Sequence, residues 1–270
     1  MTQKEYAESL RLAGYVTEPA IRQAIRGLPV NPGSRGLDAG CGNALRTVLL
    51  ADKVGTAGLL VGLDKSPDNL VAARNVINEN TLSPSITLVQ GDILELPFRD
   101  GSFDWVWCSD TMWPGHVVED PVAGVAGLAR VLRPGGIVAL VYWSSQVLLP
   151  GHPALEARLN KAFAETTRYL GGITPQQHFL RAAGWLDAAG LAQITADTYL
   201  SEIKVPLSEE TRQSVAYCFE MFWENLKPHL SGEDWKEYQR LCKPESPDFI
   251  LNRSDYYGFL TYSMFCGKVT

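Results

Sequence analysis

The spacing of hydrophobic and polar positions changes once along this chain, near residue 145. From residue 34 to that point, short apolar runs alternate with segments whose aliphatic residues recur at helical spacing. The clearest run is "GLLVGLD" at 58–64, and a helix is predicted directly after it, with Ser66 as its cap and Pro67 in its first turn. Strict alternation of strand and helix predicts βαβ units and a parallel sheet.

The same pattern sets the predicted elements of this first part. A first helix is expected from Thr17 to Leu28, because Thr17 can cap it and Pro19 would then lie in its first turn. Five strands are predicted. The first ends in "GLDAG", and the other four lie at 58–66, 85–92, 103–110 and 136–143. The helices between them are predicted at 43–54, 66–82 and 120–132.

After Trp143 the pattern becomes mostly helical. Helices are predicted at 152–170, 174–191, 208–230 and 231–243, with extended segments near 192–205 and 256–269. We therefore expect one domain over 1–270, of α/β class with a doubly wound sheet. Its core would span about 17–145 with closing strands at about 191–205 and 256–269, and a helical cap would span about 146–190 and 206–255.

Composition narrows the classes of function. Of the 270 residues, 46% are hydrophobic and 20% charged, and the net charge is −6, which disfavours nucleic acid as a partner. The five cysteines have no C-x-x-C spacing, which disfavours a disulfide framework or a zinc site and favours a reducing cytosol. No secretory signal or membrane span is predicted, so we expect a cytoplasmic protein without a metal.

The stretch "GLDAGCGNA" at 36–44 carries the first chemical signal. A glycine-rich turn at the end of a first strand lets a ligand approach the backbone closely. A dinucleotide-binding loop would need a third glycine where Leu45 stands, and no G-K-[ST] follows, so an NAD-dependent oxidoreductase is disfavoured. Asp38 would repel a phosphate and attract an ammonium or sulfonium group.

Four stretches in order together carry a resemblance. They are "LDAGCGNA", "GLDKS", "GDILELPFRDGSFDWVWCSD" and "RVLRPGG". Over residues 34 to 143 the sequence resembles the class I S-adenosylmethionine-dependent methyltransferases, in the small-molecule branch related to the ubiquinone/menaquinone C-methyltransferases, with Ala44 in place of the last loop glycine. The resemblance implies a Rossmann-like, seven-stranded, mostly parallel sheet whose last strand is antiparallel. It also implies S-adenosylmethionine as the cofactor.

The resemblance also implies the cofactor contacts. Asp38 would hold the cationic end, Asp64 the ribose hydroxyls, and Asp92 the adenine amino group. The remaining implied contacts are Ala39, Gly40, Cys41 and Gly42 beside the methionine part, Lys65 and the Ile93 N–H near the adenine, and Ser109 and Asp110 at the reaction zone. Taken singly, Asp64 is also an ordinary acid at a helix N-terminus and Asp92 an ordinary turn former. Ser109 and Asp110 remain open between structure and function.

The residues that would bind the methyl acceptor are less clearly indicated by the sequence. His116, after the fourth strand, is the candidate for a base or an acceptor anchor, and a surface loop histidine is the alternative. Aromatic residues near the sheet edge and in the cap favour a small apolar or aromatic acceptor, with Trp113, Trp143 and Trp223 as candidates, although Phe219 and Phe222 also suit plain packing.

No [DNS]-P-P-[YFW] motif is present, which disfavours methylation of a nucleobase. A cofactor-binding partner or regulator without transferase activity remains the alternative function, and the methylated atom and the oligomeric state remain open.

Overall fold

A seven-stranded sheet forms the centre of the computed structural model, which describes residues 3–80 and 85–270. The strands are β1 Arg35–Ala39, β2 Leu59–Asp64, β3 Ser85–Gln90, β4 Phe103–Ser109, β5 Leu132–Val147, β6 Ala192–Lys204 and β7 Tyr257–Lys268. They lie in the order β3-β2-β1-β4-β5-β7-β6. β7 is antiparallel to both of its neighbours, and the other pairings are parallel. The predicted fold class, a doubly wound, mostly parallel sheet, is confirmed.

The helices of the described residues flank the sheet and build the cap. Two of them, in the first half, begin at side-chain caps: the predicted cap Ser66 accepts a hydrogen bond from the Asn69 amide, and Asp120, which was not predicted as a cap, accepts from Val122 and Ala123. The α-helices are α1 Gln3–Gly27, α2 Leu45–Val54, α3 Pro67–Glu79, α4 Pro121–Arg130, α5 Pro153–Thr166, α6 Arg168–Gly171, α7 Ala182–Ala188, α8 Glu209–Trp223 and α9 Gly232–Cys242.

The first helix is longer than the sequence pattern predicted, and the expected start at Thr17 is wrong. α1 runs through Pro19, which lies inside the helix rather than in its first turn. About one turn before Pro19, the Ser214 hydroxyl of α8 takes part in the backbone hydrogen bonding of α1. It donates to the Leu12 carbonyl and accepts from the Val16 amide at 3.3 Å. A long-range contact therefore supports the helix upstream of the start that local signals predicted.

Several further boundaries differ from the prediction, two of them within the core and the segment that follows β5. The helix expected at 174–191 is broken into 3₁₀ turns at Pro175–Gln177 and Phe179–Arg181 before α7 begins. The His178 ring separates these turns, because its Nδ1 accepts from the Leu180 amide at 3.3 Å. β5 begins before the expected turn "RPGG", and its pairing with β4 shifts register there.

Alternating side chains on β4 divide the core into two layers. Trp105 and Trp107 pack on the α1 side of the sheet, whereas Val106 and Cys108 pack on the α4 side. Gly36 of β1 is needed beneath Trp105, because a Cβ at this position would lie 2.0 Å from the indole ring. Strand β4 is therefore packed from both sides and ends, at Ser109, between the two layers.

Most of the cap lies on the α1 side of the sheet, whereas α7, which the sequence placed in the cap, packs with α4 on the opposite side. α8 packs along α1 and against α5, and its Phe219 and Trp223 are fully buried. The five cysteines are buried and free. In the described part of the chain, no helix combines the length and the hydrophobicity needed to cross a bilayer.

Candidate active site

A cavity of about 1150 Å³ lies at the carboxyl ends of β1, β2, β4 and β5, under α1 and the cap. This edge is where ligands bind in doubly wound sheets. We call its polar base the floor, formed by Asp38, Gly40, Arg46, Asp64 and Asp110. We call its aromatic side the wall, formed by Trp113, Trp143, Phe163, Tyr169 and Phe222.

The glycine-rich loop after β1 is fixed by its backbone. The amides of Gly40 and Cys41 both donate to the Leu63 carbonyl, at 2.8 and 2.9 Å. Gly40 has a φ of 86°, and a Cβ there would lie 2.3 Å from the Thr111 side chain. The glycine is thus required by the protein's own packing, in addition to any ligand that lies against the loop. Ala44, at the position of the missing last glycine, keeps a left-handed φ of 63°.

Asp38 is the most buried acid of the floor, with 2% of its surface exposed. The Thr47 hydroxyl donates to its Oδ2 at 2.7 Å. Burial raises the pKa of Asp38 to about 6, and the Thr47 hydrogen bond and the Arg46 charge only partly oppose this effect. The carboxylate is therefore short of positive partners, which is the condition in which it attracts a cationic group.

Asp64, at the end of β2, is held by three protein donors. Its Oδ2 accepts from the Gly42 amide at 2.9 Å, and its Oδ1 accepts from the Ser66 amide at 2.8 Å and from Asn69 Nδ2 at 3.1 Å. A carboxylate offers about four lone-pair positions, so one remains for a ligand. The same side chain thus links the glycine-rich loop to the start of α3 and lines the cavity.

Arg46, in the first turn of α2, is a floor residue that the sequence analysis missed. Its Nη1 donates to Ser109 Oγ at 2.5 Å, and its Nη2 donates to Asp110 Oδ2 and to the Tyr262 hydroxyl, each at 2.8 Å. Tyr262, from β7, was missed as well. The available sequence signal was a lone arginine just after the glycine-rich loop, whereas Tyr262 reaches Arg46 only because β7 pairs with β5.

Asp110 is present as predicted, but the protein itself occupies both of its oxygens. Oδ1 accepts from the Trp143 amide at 2.9 Å, and Oδ2 accepts from Arg46 and from Tyr262. Asp110 also has a positive φ of 48°, an uncommon conformation for a residue other than glycine. Its position is therefore determined by this hydrogen-bonded cluster.

The predicted adenine contacts lie beside the cavity rather than in its lining. Lys65 Nζ is 3.8 Å from Asp92 Oδ2, and Asp92 Oδ1 accepts from the Leu94 amide at 3.0 Å. Ile93 is 7% exposed and packs in the core, and Ala39 is fully buried in β1. These four residues are not among the cavity-lining side chains, whereas Cys41, Gly42 and Ser109 are.

The residues predicted to bind the acceptor lie in different parts of the structure. Trp113 and Trp143 line the cavity, whereas Trp223 is fully buried in the cap with its Nε1 donating to Asn160 at 3.1 Å. Trp223 therefore supports the cap and does not reach the cavity. His116 is exposed at the cavity rim, with its ring centroid 6.5 Å from that of Tyr169.

The wall consists of aromatic rings in edge-to-face or tilted contact. Trp143 and Phe222 have centroids 5.1 Å apart, Phe222 and Phe163 5.3 Å, and Trp113 and Tyr169 4.7 Å. Phe222, which was also expected to serve plain packing, belongs to this surface. A second histidine, His178, lines the cavity as well, and burial lowers its pKa below the usual value. Among the described residues, no three His, Cys, Asp or Glu side chains are arranged to hold a metal ion.

Comparisons with known proteins agree with this architecture. The sequence profile of a family described as "Methyltransferase domain" matches residues 31–228. The demethylmenaquinone methyltransferase of Lysinibacillus sphaericus is 35% identical over 128 residues, which cover 47% of this chain and 52% of that protein. The protein of the same name from Staphylococcus carnosus is 36% identical over 130 residues, covering 48% and 51%. The chain thus spans about half the length of these curated relatives.

A solved structure extends the likeness of the fold to the cap. Phosphoethanolamine N-methyltransferase 2 of Haemonchus contortus, in complex with S-adenosyl-L-methionine, superposes with a TM-score of 0.56. The match covers 97% of this chain and 57% of that chain at 16% sequence identity. At this identity the likeness shows the fold alone.

Proposed function

The chain belongs to the methyltransferase domain family and has its class I fold, and from that premise we propose that it transfers a methyl group from S-adenosylmethionine to a small apolar or aromatic acceptor. The observation that carries the proposal is a single cavity with an acidic floor and an aromatic wall. The floor suits a cationic donor, and the wall suits an acceptor with an apolar ring. The names of the curated relatives point to a quinone-type ring as one acceptor of this class.

The residues of the floor fit this cofactor. Three acids, Asp38, Asp64 and Asp110, face one arginine, so the floor favours a ligand with net positive charge over a phosphate. Asp38 is the proposed partner of the cationic end. With one lone-pair position left, Asp64 would accept a hydrogen bond from a ribose hydroxyl of the cofactor.

The remaining contacts that the family resemblance implies are part of the same proposal. The backbone of Ala39, Gly40, Cys41 and Gly42 borders the methionine part, and Ser109 lies beside it. The pair formed by Lys65 and Asp92, together with the Ile93 amide, flanks the adenine at the edge of the cavity.

Alignment is the main catalytic contribution that we assign to this chain. When bound, the cofactor supplies a methyl group on a sulfonium centre, which is already reactive. The floor holds the donor and the wall holds the acceptor ring, so that the two reacting atoms are brought together without free rotation. The cap covers the cavity and limits the access of water. The volume of about 1150 Å³ exceeds the usual range for a single small ligand, in agreement with two bound molecules.

The test is a binding and turnover experiment in two steps. Calorimetry with S-adenosylhomocysteine measures cofactor binding, and a methyl-labelled donor is then incubated with 1,4-naphthohydroquinone, 2-naphthol, an alkylamine and a short DNA duplex. We expect cofactor binding and label transfer to an aromatic hydroxyl compound. Absence of cofactor binding would refute the proposal, and binding without turnover of any acceptor would favour a partner or regulator of the same fold.

A further inference from the structure

The guanidinium of Arg46 is a partly buried cation of the cavity, and its surroundings define what it can bind. The charged and titratable groups that face it are Asp38 from β1, Asp110 after β4 and Tyr262 from β7. The other cavity-lining arginine in the described part of the chain, Arg22, is exposed and pairs with Glu18 at 2.6 Å. Arg46 is therefore the cation that an acceptor inside the cavity would meet.

Arg46 retains donors after its protein contacts are counted. A guanidinium has five N–H groups. Three hydrogen bonds join it to the described residues, namely to Ser109, Asp110 and Tyr262. About a quarter of its side-chain surface, 26%, remains accessible, and it lines the cavity. Two N–H groups are thus left for a ligand oxygen.

The partners of Arg46 serve to hold it. Asp110 is already engaged by the protein, because the Trp143 amide, Arg46 and Tyr262 together donate three hydrogen bonds to its two carboxylate oxygens. Burial raises the pKa of Tyr262 well above its usual value, so its hydroxyl stays protonated and donates to Asp110. Asp110 and Tyr262 are therefore positioning residues that fix the guanidinium plane.

Arg46 also lies next to the aromatic wall. Its guanidinium carbon is 5.3 Å from the centre of the Tyr262 ring, and that ring is 6.0 Å from Trp143. Trp143 in turn contacts Phe222 edge to face at 5.1 Å. A ligand ring seated on this wall would place an attached oxygen beside Arg46.

Resting on the proposed methyl transfer, we propose that Arg46 binds the ionised hydroxyl oxygen of an aromatic acceptor, so that the protein selects phenol-type acceptors and takes them as anions. A fixed guanidinium binds an oxyanion strongly and favours its ionised form. The hydroxyl proton leaves to water, and no protein base is required for this step. The carboxylate of the cofactor is the competing partner of Arg46, and the experiment separates the two.

The test uses 4-nitrophenol, whose neutral and anionic forms differ in absorbance. The full-length protein is saturated with S-adenosylhomocysteine, and the bound probe is titrated with pH. For the wild-type protein we expect the anion to bind at least about tenfold more tightly than the neutral phenol, which lowers the apparent pKa of the bound probe. In Arg46→Gln this preference disappears, whereas in the matched control Arg22→Gln, which removes an exposed arginine, it persists.

A second pair of variants guards against misfolding. Arg46→Gln leaves Asp110 as an unpaired, partly buried charge, so the double variant Arg46→Gln/Asp110→Asn removes both charges together. We expect this variant to fold by circular dichroism and, at saturating S-adenosylhomocysteine, to bind 4-nitrophenol without preference for the anion. Arg46→Lys restores part of the preference, since it keeps the charge and loses the planar fork.

The outcomes distinguish the two proposals. If the wild-type protein does not bind S-adenosylhomocysteine, the proposed function itself fails. If the cofactor binds but the wild type shows no preference for the 4-nitrophenolate anion, only the role of Arg46 is refuted. If the double variant keeps the preference but binds the cofactor at least tenfold more weakly, Arg46 holds the cofactor carboxylate instead.

Discussion

The floor and the wall of the cavity are built in different ways. The acids of the floor lie at the ends of parallel strands and its arginine lies in the first turn of α2, and each of these side chains is held by hydrogen bonds to neighbouring backbone or side chains. The wall consists of rings from β5, the segment after β4, and three cap helices, held by edge-to-face and tilted contacts. The floor thus has the precision needed to bind one donor, whereas the wall can accept rings of different outline. The acids of the floor and the rings of the wall are therefore separable by mutation, whereas Arg46 lies where the two regions meet.

The largest effect is expected behind the wall, at Phe219. This ring is fully buried in the cap and stacks on Trp223 at 5.8 Å. Phe219→Ala should lower the free energy of unfolding by about 3–5 kcal/mol, because it leaves a large cavity in a packed core. Urea denaturation followed by tryptophan fluorescence measures this change.

Phe222→Ala is the matched control for that variant. Phe222 lies one turn further along α8, but it faces the ligand cavity, so its removal should cost less stability and instead weaken the binding of 2-naphthol. Equal losses of stability in both variants would show that the wall is ordinary core. In that case the comparison between floor and wall would fail.

The next largest effect is expected in the floor, at Asp64. Asp64→Asn replaces a carboxylate that accepts three protein hydrogen bonds and is the proposed ribose partner. We expect S-adenosylhomocysteine to bind about 100-fold more weakly, since unpaired donors and a lost ligand contact together cost about 2–3 kcal/mol. Asp68→Asn, an exposed acid in the first turn of α3, should bind normally in the same calorimetric titration. A loss below threefold for Asp64→Asn would remove this residue from the cofactor site.

These two regions also differ in how far the sequence predicted them. The floor acids Asp38, Asp64 and Asp110 were found because each ends a buried strand, and strand ends meet at one edge of a parallel sheet. Arg46 was missed because its role depends on Tyr262, more than 200 residues later, which approaches only when β7 pairs with β5. Local pattern carries no information about such a contact.

For the wall, the sequence predicted that aromatic residues would be present but not which of them would face the cavity. An aromatic helix such as α8 has ring positions for both the core and the cavity, and only packing against α1 and α5 decides which ring faces which side. Thus Trp223, expected in the pocket, lies in the core, whereas Phe222 reaches the cavity. The start of α1 was wrong for a similar reason, because a long-range contact from Ser214 overrides the local signal at Thr17 and Pro19.

A pH dependence of cofactor binding is expected from Asp38. Its pKa is raised to about 6 by burial, so the carboxyl is neutral at pH 5 and ionised at pH 7. Since a cation binds to the ionised form, the affinity for S-adenosylhomocysteine, which carries an ammonium group, should rise about tenfold between these pH values. Calorimetry at both pH values measures the change.

The stability of the ligand-free protein should change in the opposite direction. A carboxyl whose pKa is higher in the folded state holds its proton more tightly there, so its contribution favours folding below the ordinary pKa and is lost as pH rises through about 6. Asp38→Asn should remove both dependences, whereas Asp52→Asn, an exposed acid on α2, should leave them intact. A cofactor affinity that stays constant from pH 5 to 7 in the wild type would place the cationic end away from Asp38.

The smallest effect is expected at His116. Its imidazole is exposed at the rim, beyond the floor and beside Tyr169, where water competes with it for any proton. If methyl transfer depends on alignment and the acceptor already binds as an anion beside Arg46, no general base is required, and His116→Gln should lower the rate by about threefold or less. His229→Gln, an exposed cap histidine away from the cavity, is the control in the same rate assay with the best acceptor of the panel. A general base contributes at least about 100-fold, so a loss of that size, together with a flattened acidic limb of the pH–rate profile, would make His116 the base. A residue at the rim would then take part in the reaction, and a floor that binds the donor together with a wall that seats the acceptor would not account for catalysis.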